Sequence, residues 1–560
     1  MSARFRRFLS FGLITAALAC TAALWADPPA RVGRLNYISG SVSFRPASLD
    51  EWAAATLNYP LTTGDRLWTE AGARAELHLG SAAVRLADET DFAILLLDDQ
   101  TTQLRLSQGS LDIRLRDLQA DEGFEIATPQ ACISLLEPGS YRVDVQAEGV
   151  ADVVVRSGQA ELASGSSSIT VSPNQYAALT DVAAEAFEVR RAPSPDEWEL
   201  WCMQRDQRED RLAERRYVPA TMVGYEDLDD YGSWHYFAEY GTCWIPRRVP
   251  AGWAPYRFGH WAWVHPWGWT WIDVEPWGFA PFHYGRWAFV TGVWVWVPGV
   301  FVARPVYAPA LVVFIGRPGW GAAYSLGEGV GWFPLGPREV YVPPYTVSNI
   351  YIRNVNIAYV ANIDVDRLDY RHARYSNRSI TGAVTVVSRQ DFVRAQPVHR
   401  AAVQVRPADI SKEPVTGMGP AFAPERESIL ARPQAARQAV PRPPASVLDR
   451  PVFVRRAPPP VQYPETRQQG PPPRQPKFRV VNPPAAQRQG GVPGQDRTSE
   501  PERRQVEPGA QQGRQGQGPA VVPEIRGRGR QPAGTPPVKK KIRKRVIGPN
   551  GPEWIWEEEE

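Results

Sequence analysis

Between residues 31 and 182 apolar and polar positions alternate in short runs: SVSFRP, AELHLG, AVRLAD, SLDIRL, YRVDVQ, VADVVV and SITVS. A period of two puts one set of side chains on a buried face and the other on an open face, the signature of β-strands. Turn signals separate the runs: Ser39-Gly40, Gly64-Asp65, Leu79-Gly80-Ser81, Pro138-Gly139-Ser140 and Ser157-Gly158. Strands at this spacing predict an all-β sandwich, a jelly roll or a short β-helix. A segment of about 150 residues is long enough for one core.

The period changes after residue 193. Trp198, Trp201 and Cys202 recur at spacings of three and four within an otherwise charged stretch, which predicts a helix across 194–217. Ser194 is the expected cap, Pro195 suits the first turn and Glu197 stands three residues after the cap. The expected role is a docking or spacer helix between domains.

From residue 222 to 348 the apolar positions become aromatic. Fourteen of the chain's 21 tryptophans fall between Trp234 and Trp332. GWAPYRFGHWAWV at 252–264 returns 26 residues later as GFAPFHYGRWAFV at 278–290, and Trp267-Gly268-Trp269-Thr270-Trp271 and Gly292-Val293-Trp294-Val295-Trp296 follow the two copies. A degenerate earlier copy runs from Gly232-Ser233-Trp234 to Trp244-Ile245-Pro246. Each unit reads as two short strands joined by a turn, and three units make a stacked meander of hairpins. A tryptophan ring buries on the order of 200 Å² and carries one N–H, so the repeat supplies a core that such short strands otherwise lack. Positions that keep their bulk, Trp261/Trp287 and Trp263/Phe289, read as hairpin seams. Positions that swap, His260/Arg286 and Arg257/His283, read as a polar rim where a ligand is first sought. The binding residues expected on this reading are Trp253, Tyr256, Arg257, His260, Trp263, Trp269, Trp271, His283 and Arg286.

Residues 349–400 read as a β or irregular extension. Beyond them the composition shifts again. The stretch 401–545 carries 27 Lys and Arg against 11 Asp and Glu, whereas residues 1–400 carry 36 against 44. The tail also holds 29 of 54 prolines. Segments such as APPPVQYPETRQQGPPPRQPK bury too little apolar area to offset backbone ordering, so 401–560 is expected to be disordered and partly polyproline-like. Its end differs: Val546-Ile547, the turn-like Gly548-Pro549-Asn550-Gly551 and Glu553-Trp554-Ile555-Trp556-Glu557 predict a hairpin over 540–557. That hairpin sets Lys539, Lys540, Lys541, Arg543, Lys544 and Arg545 opposite an acidic end and offers a contact for an anionic surface.

The first 26 residues determine the expected compartment. Arg4, Arg6 and Arg7 precede an apolar run from Phe8 to Leu24, and Asp27-Pro28-Pro29 follows, the layout of a secretory signal peptide with Ala26 as its last residue. A second reading makes Ala17-Leu18-Ala19-Cys20 a lipoprotein processing box with Cys20 lipidated. Both place the chain in the periplasm, secreted, or at the outer envelope. Beyond the leader only Cys132, Cys202 and Cys243 remain. They match no zinc spacing; isolated buried thiols are expected ahead of a Cys202–Cys243 disulfide.

The run Leu61-Thr62-Thr63-Gly64-Asp65-Arg66-Leu67-Trp68-Thr69 resembles the opening of the FecR domain. Ala75-Glu76-Leu77-His78-Leu79, Gly109-Ser110-Leu111-Asp112-Ile113 and Phe124-Glu125-Ile126-Ala127-Thr128-Pro129 follow in its order. Pro138-Gly139-Ser140-Tyr141 departs from the Gly-Thr that many members place before the aromatic residue. The resemblance implies an extracytoplasmic β domain of the kind used in cell-surface signalling regulators. In those regulators a membrane segment and a sigma-factor-controlling part come first; here the β domain follows the leader, so sigma-factor control is not carried over. Residues Gly224-Tyr225-Glu226-Asp227-Leu228, Pro250-Ala251-Gly252-Trp253-Ala254-Pro255-Tyr256 and Trp277-Gly278-Phe279-Ala280-Pro281-Phe282 resemble the tryptophan-rich domain of unknown function that often follows a FecR domain. That second resemblance implies an architecture and no activity.

Chemistry is sparse. There is no Gly-x-Ser-x-Gly elbow, phosphate-binding glycine loop or His-Glu-x-x-His, so no catalytic residue is named and no enzyme is expected. His260, His265 and His283 invite a metal, but exchange with arginine between the copies argues against one, and neither metal nor cofactor is expected. Glu226, Asp227, Asp229 and Asp230 lack the glycine and terminal glutamate of an EF-hand and read as a solvated acidic turn. The expected function is sensing or scaffolding in the envelope through an envelope protein partner. A second reading is a polysaccharide or peptidoglycan module that stacks sugars on Trp and Tyr; a third, an envelope-modifying enzyme, would need a carboxylate pair in a cleft. Export disfavours nucleic acid as the partner of the basic C-terminus.

Overall fold

A computed structural model describes residues 27–181, 186–213, 217–317, 320, 328–360, 362–416, 419–433, 440–460 and 477–481, and the backbone of 541–548 and 551–558. Residues 1–26, where the signal peptide and the lipidated Cys20 are expected, and most of the segment beyond 460 lie outside the described residues. The chain is mainly β. Among the described residues no helix is long and apolar enough to cross a membrane.

Every alternating run of the N-terminal segment forms a strand, and the strands build two facing sheets. One sheet carries Gly33–Ser39, Arg74–Leu79, Ala82–Leu86, Gly139–Val145, Ala151–Ser157, Gln175–Asp181 and Ala186–Arg191, all antiparallel. The other carries Val42–Arg45, Arg66–Thr69, Asp91–Leu97, Gly123–Ala127, Cys132–Leu135, Ala160–Ser164 and Ser167–Val171. The strand Thr101–Leu115 belongs to both. Its first half pairs with Asp91–Leu97 and, in parallel, with Gly123–Ala127; its second half pairs with Ala82–Leu86 and Gly139–Val145. Of the expected alternatives the structure is the two-sheet sandwich. Leu35, Leu77, Val84, Ile113 and Val143 of one sheet and Leu67, Ile94, Leu104, Ile126 and Ile133 of the other are fully buried in its core. The Gly64-Asp65 corner of the opening motif pins two loops together, because the buried Asp65 carboxylate accepts N–H bonds from Thr62 (2.9 Å) and Ala47 (3.0 Å).

The predicted helix is Glu197–Ala213, hereafter α1. Its cap lies two residues later than expected, because the Asp196 carboxylate, not Ser194, accepts from the Glu199 amide at 2.8 Å. Trp201 stacks near Tyr37 (5.6 Å) and Cys202 is fully buried. α1 does more than bridge domains: it lies on the first sheet, with Glu199 and Glu209 buried.

The three aromatic repeats are three hairpins: Gly232–Phe237 with Gly241–Pro246, Gly259–Val264 with Gly268–Asp273, and Arg286–Val290 with Val293–Val297. Each pairs bulky residues across its strands, Trp234 with Trp244, Trp261 with Trp271 and Trp287 with Trp296. The meander is not serial. The first and third hairpins join edge to edge through Trp244 and Trp296 into a four-stranded sheet, and the second forms its own two-stranded sheet. The extension 349–400 completes this domain: Thr385–Ser388 pairs with Gly329–Pro334, and the helix Asn349–Asn356 (α2) sends Asn356 to Tyr341 and Arg286.

The expectation of disorder from residue 401 is corrected for the first part of the tail. Val403 bonds to Val386, Val415 bridges to Ile315, and Ile429, Leu430 and Ala431 are buried beside the second hairpin. Val452–Val454 then runs over the second sheet of the sandwich, with the Phe453 amide bonded to the Thr128 carbonyl at 2.9 Å, and pairs in parallel with Phe478–Val480. Composition judges whether a segment can build its own core; this strap places its few apolar residues into a core supplied by others. The C-terminal hairpin forms in the expected register, Lys541–Gly548 against Gly551–Glu558, with Arg543 opposite Trp556 and Lys541 opposite Glu558.

Candidate functional site

The residues singled out in the aromatic repeat lie mostly in the core. Tyr256 and Trp271 are fully buried, Trp253 and Trp269 nearly so, and Trp263 is half-buried. Trp253 packs edge-on to Trp287 at 5.5 Å, Trp271 meets Trp261 at 5.6 Å, and Trp269 meets Phe392 at 4.6 Å. These faces touch other rings, which corrects the idea of a tryptophan surface open to sugars.

The rim assignment is corrected too. Arg286 is buried, donating to the carbonyls of Gly285 and Glu339 and to the Asn356 side chain, and it lies over Tyr359 at 4.3 Å. His283 is buried against the Ala308 carbonyl at 2.8 Å, and burial pushes its pKa down to about 3. His260 is held near 4 by burial. Both imidazoles are neutral at physiological pH. Of the four, Arg257 lines an open cleft and His260 is half-buried. Cys132, Cys202 and Cys243 are free and buried, and burial pushes the Cys132 thiol up to about 12 and Cys243 to about 11.

The open space beside Arg257 is a cleft of about 950 Å³. Arg257, Arg374, Arg378 and His399 contribute to its wall, with Tyr375, Thr381 and Gln404 among the neutral lining residues, and no carboxylate lines it among the described residues. Arg257 spends its guanidinium on the carbonyls of Gly252, Gly382 and Val384, so it shapes the wall. Arg378 likewise holds the strap through the carbonyls of Ile410 and Glu413. Arg374 and His399 are exposed, and the His399 ring stacks on Phe258 at 5.3 Å. Burial and the neighbouring Arg400 lower the His399 pKa, so the arginines carry the positive charge. A concave surface with arginine cations and no acid among its described lining residues suits an anionic ligand.

A second cluster escaped the sequence reading. Glu76 and His78 point from Arg74–Leu79 onto the face covered by α1, where Arg205, Asp206 and Glu209 meet them. Glu226 arrives from the turn that opens the aromatic domain. That turn is not solvated as expected: Glu226 is buried, and Asp227 pairs with Arg34 at 2.6 Å. Arg85 donates to Glu76 at 2.6 Å and to Asp206 at 2.7 Å, and Arg205 donates to Glu76 at 2.7 Å. Burial favours the neutral acid at Glu76, but the Arg205 hydrogen bond and the Arg85 charge outweigh it and hold the carboxyl well below its usual range. The alternation AELHLG / AVRLAD contained the signal, because its outward residues Glu76, His78 and Arg85 are all charged or titratable. Only the docking of α1 shows that this outward face is buried.

Residues 225–339 match a family described as "Family of unknown function (DUF6600)". No curated protein matches the chain. Two crystal structures of a "putative anti-sigma factor" from Parabacteroides distasonis ATCC 8503 show a remote likeness. One has 14% identity over 27% of this chain and 76% of that chain with a TM-score of 0.21. The other has 14% identity over 32% and 76% with a TM-score of 0.19.

Proposed function

We propose that the chain is a non-enzymatic binding protein of the bacterial envelope, a sensor or scaffold that recognises an anionic envelope polymer. The observation that carries this reading is the cleft of about 950 Å³ to which Arg257, Arg374, Arg378 and His399 contribute and which, among the described residues, no carboxylate lines. An acidic glycan or peptidoglycan strand meets its cationic donors and open length. A glycosidase requires a pair of carboxyl groups, and the described lining residues of this wall include none. The secretory layout of residues 1–26 and the resemblance of residues 31–182 to the FecR domain support the envelope assignment. The Lys- and Arg-rich strand of the terminal hairpin, Lys541–Gly548, is on this reading a second contact for anionic surfaces.

The test is calorimetric titration of the untagged chain, without its leader, with uronic-acid oligosaccharides and soluble peptidoglycan fragments, with released reducing ends followed in parallel. Saturable binding without release, weakened by Arg374→Glu, is expected. Released product overturns the non-enzymatic assignment. Binding to none of these polymers overturns the choice of ligand.

A further inference from the structure

We propose that Glu76, His78 and Glu209 bind one divalent transition-metal cation, with zinc as the best fit, at the junction of the sandwich, α1 and the aromatic domain. One ligand atom from each of the three lies within 4.8 Å of the others, and all three residues are buried. The His78 Nε2 atom stands 3.4 Å from Glu209 Oε1 and 3.5 Å from Glu76 Oε1. Tetrahedral zinc with bonds of about 2.0–2.1 Å needs ligand atoms about 3.3–3.4 Å apart. A hydrogen bond between imidazolium and carboxylate needs about 2.7–2.9 Å. The spacing therefore suits a shared cation better than a direct contact.

The hydrogen-bonding pattern agrees. His78 Nδ1 faces the Glu226 carboxylate, and Glu226 is fixed by the Gly224 amide at 3.1 Å. A carboxylate on one ring nitrogen holds the proton there and turns the lone pair of the other outward, the arrangement that orients metal-binding histidines. That lone pair then faces two carboxylate oxygens and the Asn36 amide, an arrangement that a metal cation between nitrogen and oxygens relieves. Guanidinium groups occupy the far oxygens: Arg85 donates to Glu76 Oε2 and Arg116 pairs with Glu209 Oε2 at 3.1 Å. Glu76 Oε1 also accepts from Asn36 at 2.6 Å and from Arg205. Among the described residues Glu209 Oε1 has no donor at hydrogen-bond geometry although the residue is only 2% exposed, its nearest donor groups being His78 Nε2 at 3.4 Å and Arg85 Nη2 at 3.7 Å, and a buried carboxylate oxygen without a close donor is costly. A cation accounts for this oxygen and for the tautomer together. Nitrogen and oxygen donors without sulfur suit zinc, and exclude the soft-metal sites built on thiolate. Bound there, the ion ties a sandwich strand to α1, and through His78 to the turn at Glu226.

The test uses the full chain without its leader and without a polyhistidine tag, stripped with chelator and then titrated with Zn²⁺ and with Co²⁺. Expected results are one zinc per chain by calorimetry, a raised thermal midpoint, and a cobalt complex with the visible absorption of tetrahedral N/O ligation. Glu209→Gln, which keeps shape and loses the ligand charge, should weaken binding at least tenfold. Glu226→Gln should weaken it by about 10–100-fold while one ion per chain is still bound. Should His78→Ala fail to fold, these two variants suffice. No stoichiometric zinc in the parent chain, or unchanged affinity in Glu209→Gln, overturns the site and leaves His78 as a hydrogen-bonding partner of the three carboxylates.

Discussion

Gly285 lies so close to the Trp296 indole that a Cβ on this glycine would stand 2.1 Å from Nε1. Gly232 and Gly259 hold the same relation to Trp244 and Trp271, with Cβ contacts of 2.1 and 2.6 Å. The glycine that opens each hairpin is thus the floor on which the buried tryptophan of the returning strand rests. Gly285 also has φ +76°, where side chains other than glycine are strained. Gly285→Ala should cost roughly 2–4 kcal/mol, overpacking and backbone strain combined. Gly292, with φ +90° and nothing within 4 Å of its Cβ, should cost about 1 kcal/mol. Urea unfolding of the two variants separates crowding from strain.

Removing Arg85 leaves Glu76 and Asp206 buried beside one another without their shared partner. Arg85→Met should destabilise the chain by about 3–5 kcal/mol, the usual cost of breaking a buried ionic network from one side. The denaturation midpoint reports it.

Asp65 sets a pH dependence. Burial pushes its carboxyl up from 3.8 to about 7, against the hydrogen bonds from Thr62 and Ala47 that favour the anion. The folded state holds this proton more tightly than the unfolded chain. The resulting stabilisation is full below about pH 4 and is lost as pH rises towards 7. Asp65→Asn should remove this part of the slope, as measured by thermal midpoints between these limits.

Cys132, Cys202 and Cys243 should resist alkylation in the native chain, because burial keeps each thiol protonated and out of reach. In denaturant all three should react. Mass spectrometry after brief labelling distinguishes the two states, and a Cys202–Cys243 disulfide would leave only one reactive thiol outside the leader.

Ile429 tests the strap. It is 3% exposed beside the second hairpin, so Ile429→Ala should cost about 2–4 kcal/mol. A midpoint unchanged from the parent would mean that the strap detaches in solution.

The strands are legible from the chain alone. Alternation at AELHLG, SLDIRL and YRVDVQ fixes which side chains share a face, because the period of two is local backbone geometry. The hairpins of the aromatic domain are legible for the same reason, since Gly259-His260-Trp261 and Gly285-Arg286-Trp287 open them alike, with Gly259 and Gly285 packed on Trp271 and Trp296 of the returning strands. Which faces are covered is a matter of long-range packing. His283 and Arg286 look like rim residues in the chain, yet both are buried, since the Ala308 carbonyl answers one and the Asn356 side chain the other, from segments distant in sequence. Glu76, His78, Glu209 and Glu226 span 150 residues and meet only because α1 and the following turn fold back onto one sheet. The strap after residue 401 follows the same logic. Its composition shows that it cannot build a core, and nothing local to it reveals the groove that lends it one. Burial depends on what arrives from elsewhere in the chain, and local periodicity carries no record of that.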